Sequence, residues 1–107
     1  MRGELWTVAG GVYASKPRPA LILQADFFAG TDSVTVIPLT TTEVDAPLMR
    51  VALAPEQLTG LTHRSWVMID KVTTVHRDNL GRRIGRVSAK DLTMVERLVA
   101  VFLGLAS

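Results

Sequence analysis

The sequence contains no cysteine. That excludes disulfides, thiolate metal sites and a cysteine nucleophile. The two histidines, His63 and His76, lie far apart with no ligand spacing around them, which argues against a zinc site. No apolar run approaches the roughly 18 residues that a membrane-spanning helix needs. The opening stretch, MRGELWTVAGG, carries one basic residue and no long apolar segment, so it does not read as a secretory signal. Repeats, low-complexity tracts and linkers are missing too. These absences leave one domain over residues 1–107, expected in the cytoplasm and away from membranes.

What is present is apolar for so short a chain. Hydrophobic residues make up 48% of 107, and mean hydropathy is +0.26. Without a membrane span, that excess predicts a subunit interface. Net charge is only +2, but it is unevenly placed. From Lys71 to Lys90 the basic residues are Lys71, Arg77, Arg82, Arg83, Arg86 and Lys90, against Asp78 alone. Such a segment is either a solvated charged loop or a surface for an anionic partner.

Short strands dominate the pattern. GELWTV (Gly3–Val8), ALILQ (Ala20–Gln24), VTVIPL (Val34–Leu39), LMRVAL (Leu48–Leu53), WVMIDKVTTV (Trp66–Val75) and RRIGRV (Arg82–Val87) all read as strands. AGGVYASKPRP between the first two reads as a loop. Pro38 places the end of its strand at an edge or a bulge. Asp26–Ala29 and PEQL (Pro55–Leu58) each predict one short helical turn. Ser88 followed by Asp91 opens a C-terminal helix in the manner of a capping box. Leu92, Val95, Leu98, Val99, Phe102 and Leu103 form its inward stripe, while Met94, Val101 and Leu105 fall outside it. A chain this small cannot bury such a helix all round, so its second face is expected to meet another copy. The fold expected is mainly β with α: a twisted antiparallel sheet or open barrel with a C-terminal helix.

In SKPRPALIL, two prolines flank Arg18 just before a core strand. Taken in order, RGELWTV, KPRPALIL, VTVIPLTTT, WVMIDKVTTV, a basic link and a terminal helix resemble the MazF/PemK (Kid) family of toxin endoribonucleases over roughly Arg2 to Leu105. The resemblance implies an SH3-like barrel with a C-terminal helix, a homodimer, and metal-independent cleavage of single-stranded RNA at short sequences. It also implies neutralisation by a cognate antitoxin with an acidic tail. The family's R-P arginine falls on Arg18. Its P-x-T-[ST] segment falls on Pro38-Leu39-Thr40-Thr41, with Thr40 in the catalytic position. Asp70 stands where some members carry a catalytic acid. Two positions depart from the pattern: the Ala9–Lys16 loop holds no histidine where some members use one, and Lys71 stands where many have glutamine.

Metal-free RNA cleavage needs the ribose 2′-hydroxyl to lose a proton, charge on the phosphoryl oxygens to be stabilised, and the leaving 5′-oxygen to be protonated. RNA brings its own nucleophile, so no metal or cofactor is called for. Arg18 suits charge stabilisation, because a guanidinium fork matches phosphate oxygens. Pro19 biases Arg18 towards an extended backbone. Thr40 can donate to a phosphoryl oxygen, and Asp70 can take the 2′ proton or orient Arg18.

Each of the three also has a plain structural alternative. Arg18 can pair with Glu43 or Asp45, Thr40 and Thr41 can be turn hydroxyls, and Asp70 can pair with Arg64 or Lys71. Lys16, Thr41, His63, Arg64, Arg82, Arg83 and Arg86 are the candidates for holding RNA. Tyr13 and Phe28 are candidates for stacking on bases, whereas Trp6 and Trp66 sit in strand patterns and read as core. A gyrase poison of the CcdB type shares the fold class. It acts through a Trp-x-Ile ending, whereas this chain ends Phe102-Leu103-Gly104-Leu105-Ala106-Ser107.

Overall fold

The computed structural model describes residues 1–10 and 14–107. Seven strands, β1 (Glu4–Gly10), β2 (Ala14–Ile22), β3 (Ser33–Thr40), β4 (Arg50–Leu53), β5 (Ser65–Met68), β6 (Thr73–His76) and β7 (Leu80–Arg86), precede one helix, α1 (Ala89–Phe102). They form an antiparallel sheet in the order β4-β5-β3-β2-β1-β7, with β6 pairing β3 off that path. The expected antiparallel sheet with a C-terminal helix is what the chain forms.

Two stretches differ from expectation. Ala14–Pro19, expected as loop, belongs to β2. The Ile22 carbonyl accepts from Gly3 N–H, and Leu23 N–H donates to the Thr35 carbonyl. Even-numbered β2 residues therefore bond to β1 and odd-numbered ones to β3. Pro19 is odd and lies just past the last β2–β3 pair, Ala20 with Pro38. Its missing N–H faces no ladder partner, which lets a proline sit in a strand. Pro17 falls where the β1–β2 register shifts, between the Val8–Arg18 and Gly10–Ala14 pairs.

Trp66–Val75, expected as one strand, is two strands with a 3-10 turn at Ile69–Lys71 between them. Both run antiparallel along the same edge of β3. β6 pairs with Ser33–Val36, and β5 pairs with Leu39 and Thr40. The gap between them lies opposite Pro38. That residue is interior to β3 rather than at its end, and by alternation its nitrogen faces the gap. A residue with no N–H cannot carry a ladder rung, and here the facing chain turns away at that point.

The sheet has an apolar cluster on each face. Leu5, Leu21, Ile37, Val51, Leu53, Val67 and Ile69 pack under Val95 and Val99 of α1. Val8, Ala20, Ile22, Val34, Val36 and Val75 form a second cluster on the opposite face. The Ser88 hydroxyl accepts from Asp91 N–H at 3.1 Å and caps α1. Phe102 and Leu103, expected on the inward stripe, are 48% and 54% exposed.

The PEQL segment forms the one short turn expected of it, closed by Gly60 N–H to the Glu56 carbonyl at 2.9 Å. It packs directly on β7. Gly60 has φ +68°, and a Cβ there would stand 1.8 Å from the Ile84 carbonyl oxygen. Gly60→Ala is therefore expected to destabilise the protein by about 2 kcal/mol or more, from left-handed strain plus displacement of β7. Urea denaturation compared with the parent chain checks this.

Candidate active site

The notch opposite Pro38 is a cavity of about 380 Å³ lined by Arg18, Pro38, Leu39, Met68, Lys71, Thr73, Thr74 and Val75. Arg18 also lines a neighbouring cavity of about 310 Å³ with Pro19, Leu39, Thr40, Thr41, Thr42, Ser65 and Met68. Pro19, Thr41 and Ser65 then continue into a third, of about 290 Å³, where His63 and Arg82 join them. The three share walls and make one groove. Its lining includes Arg18, Lys71, His63 and Arg82 and, among the described residues, no carboxylate.

β2 presents Arg18 to this groove from an exposed position opposite Val8. No carboxylate lies within ion-pair distance of it among the described residues, so the pairing with Glu43 or Asp45 is absent. Thr40 Oγ1 accepts the backbone N–H of Thr42 at 3.1 Å. This is the turn bond that threonines commonly make. It also fixes the oxygen while leaving the hydroxyl proton free to donate into the groove.

Asp70 is placed differently. It is in the 3-10 turn, its side chain is 19% exposed, and it lies outside the lining of the groove. Arg50 Nη1 donates to its Oδ1 at 2.5 Å, and Lys71 Nζ stands 3.4 Å from its Oδ2. Arg64 does not reach it; its guanidinium lies over the Trp66 ring, 5.6 Å from the centroid. Burial raises the Asp70 carboxyl, but the hydrogen bond and charge of Arg50, with Lys71 behind them, outweigh it and hold the group below its ordinary value.

The other candidates separate as well. Thr41, His63 and Arg82 line the groove. Arg83 pairs with Glu4 at 2.9 Å, while Lys16 and Arg86 are exposed and line none of the three cavities. Phe28 packs edge-on against Phe27 just past the far end of β2 from Arg18, also outside the groove lining. Tyr13 lies outside the described residues. Trp6 and Trp66 are half-buried rather than core; the Trp6 indole donates to Glu4 at 3.0 Å.

Sequence reasoning missed Ser65, Met68 and Thr73 as groove walls, and Arg50 as the partner of Asp70. Arg50 sits at an outward position of an alternating strand, and only the sheet register, which pairs it with Met68, brings it to the turn.

The sequence profile of PemK-like, MazF-like toxins of type II toxin–antitoxin systems matches residues 1–103. The chain belongs to that family. A probable endoribonuclease MazF of Mycolicibacterium smegmatis is 50% identical over 106 residues, which are 98% of this chain and 97% of that one. A mycobacterial endoribonuclease, solved in complex with its cognate antitoxin, superposes with a TM-score of 0.82 at 28% identity, covering 100% of this chain and 97% of the other. The Mycobacterium tuberculosis toxin MazF-mt6 gives 0.83 at 26%, covering 97% and 99%. The reading as a gyrase poison is not favoured.

The lowered Asp70 carboxyl predicts a pH effect. Its ionised form is favoured by folding, so the pair contributes stability above the ordinary carboxylate value and loses it as pH falls through the lowered folded value. Asp70→Asn is expected to cost roughly 1–3 kcal/mol at neutral pH, because Arg50 loses its charged acceptor. It should also flatten the fall in stability below about pH 4. Urea midpoints measured from pH 7 to pH 3 check both.

Proposed function

We propose that this MazF-like toxin cleaves single-stranded RNA, messenger RNA foremost, at a short recurrent sequence and without a metal, so inhibiting translation and growth. The observation that carries the reading is a groove whose charged lining residues are cations, with Arg18 shared between two of its chambers and Thr40 beside it. A polyanion fits that chemistry. The scissile phosphate lies between Arg18 and Thr40. The 2′-hydroxyl gives its proton to solvent and its oxygen attacks phosphorus; the bond to the 5′-oxygen breaks, that oxygen takes a proton from solvent, and the products are a 2′,3′-cyclic phosphate and a 5′-hydroxyl. Arg18 meets the charge that grows on the phosphoryl oxygens, and the Thr40 hydroxyl donates to one of them. His63 and Arg82 hold the strand further along, with Thr41 between the chambers.

A cognate antitoxin with an acidic tail suits the same cations, as does the cytoplasm as the place of action. No helix among the described residues is long and apolar enough to cross a membrane. A second copy of the chain is the proposed cover for the outer side of α1, where Met94, Val101, Phe102, Leu103 and Leu105 are exposed.

Purified protein incubated in EDTA with a long single-stranded RNA should cut it at one recurrent sequence. Arg18→Ala should lower kcat on the order of 10² to 10³-fold with the fold intact, and Thr40→Val about tenfold. RNA left whole across diverse substrates, or full activity in Arg18→Ala, overturns the reading. Light scattering at micromolar concentration should give a dimer, and a double substitution Phe102→Asp, Leu103→Asp should shift it towards monomer.

A further inference from the structure

We infer that Lys71 is a phosphate-binding residue of the groove, gripping the RNA phosphate next to the scissile one, and that Asp70 acts on the reaction only by positioning Lys71. This rests on the reading of the groove as an RNA-cleaving site.

Lys71 ends the 3-10 turn that interrupts the sheet opposite Pro38. It lines the first chamber, where it and Arg18 are the only charged residues in the described lining. Thr40 belongs to the neighbouring chamber. A phosphate held between Arg18 and Thr40 leaves the first chamber to an adjoining segment of the same strand, and the cation waiting there is Lys71.

The turn is anchored from behind. Arg50, only 12% exposed, fixes Asp70 Oδ1, and Asp70 Oδ2 faces Lys71 Nζ at 3.4 Å. Two cations against one carboxylate leave positive charge over, and it sits on the more exposed member, Lys71, at 58%. An ammonium has three donors, so one contact with Asp70 leaves others for a phosphate. A pair with one exposed member, such as Lys71 with Asp70, contributes little to stability, but it restrains a flexible side chain on the groove side.

The test uses an oligonucleotide centred on a mapped cut site, with 2′-deoxy substitution at the attacking ribose so that it binds without being cut. Lys71→Ala should weaken binding about tenfold and reduce the salt slope of log K by about 1, while Lys71→Arg restores both. On cleavable substrate, Lys71→Ala should raise KM about tenfold with kcat within about twofold. Replacing the one neighbouring phosphate by methylphosphonate should abolish the difference between Lys71→Ala and the parent. Asp70→Asn should raise KM in the parent background and change nothing further in Lys71→Ala.

An unchanged salt slope and KM in Lys71→Ala overturn the inference. So does a loss that is equal on every methylphosphonate substrate. A KM effect of Asp70→Asn that persists in Lys71→Ala overturns the positioning role of Asp70. A parent protein that cuts no RNA overturns the proposed function instead, and the salt slope of Lys71→Ala, read on any single strand that the parent binds, still decides on Lys71.

Discussion

A missing hydrogen on Pro38 shapes this molecule. β3 is the strand along which the sheet changes partners, and Pro38 is the position at which its outer edge can offer no N–H. The chain pairing with β3 therefore cannot run straight through. It leaves as β5, makes a 3-10 turn, and returns as β6. The interruption opens a chamber in a sheet that would otherwise be closed there, and it swings Asp70 and Lys71 away from ladder positions. On the other edge of β3, Pro38 pairs with Ala20, which places Arg18 two residues along β2 beside the same opening. One imino acid thus positions both the cavity and the cations that face it.

The rest of the fold holds that opening still. A sheet with a break in its ladder needs support from packing, and α1 supplies it on one face through Val95 and Val99 over Ile69, Val67 and Val51. Ile69 is the buried residue of the 3-10 turn, so the turn is held down by the core at one end while Arg50 holds it by charge next door. The second cluster, on the opposite face, stops at Val75 and Val8, and the groove begins where it stops. An arginine held on a strand between prolines loses less freedom on binding than one on a mobile loop, which favours transition-state contacts.

Much of this was legible in the sequence because it is local. Alternation marked the strands, Ser88 and Asp91 marked the start of the helix, and the ordered segments around Arg18 and Thr40 marked the family. What escaped depends on register between distant strands. Trp66–Val75 reads as one strand because its break is imposed by Pro38 across the ladder, and only the polar Asp70 hinted at it. The KPRP segment reads as loop because a proline is compatible with a strand only when its nitrogen faces no partner, and that is a fact about neighbours. Arg50 and Asp70 are twenty residues apart, and no periodicity links them. The candidate cations divided in the same way. Arg82 and Arg83 are adjacent in sequence, yet Arg82 lines the groove while Arg83 pairs with Glu4.

The arrangement also separates two demands that compete in a sequence-specific nuclease. Phosphate chemistry needs donors fixed to within fractions of an ångström, and the proposed donors stand on strands and on a turn pinned by the core. Choice of base needs variable shape, which loops supply most readily. Glu43–Pro47, a segment that can shape the approach, follows the end of β3 and lies outside the hydrogen-bonded frame of the notch. Glu43 and Asp45 border a separate cavity with Trp66 and Arg50, so their charge stays out of the lining that Arg18 shares. On the proposed reading, such a division lets a loop change its target while the Pro38 notch keeps one chemistry.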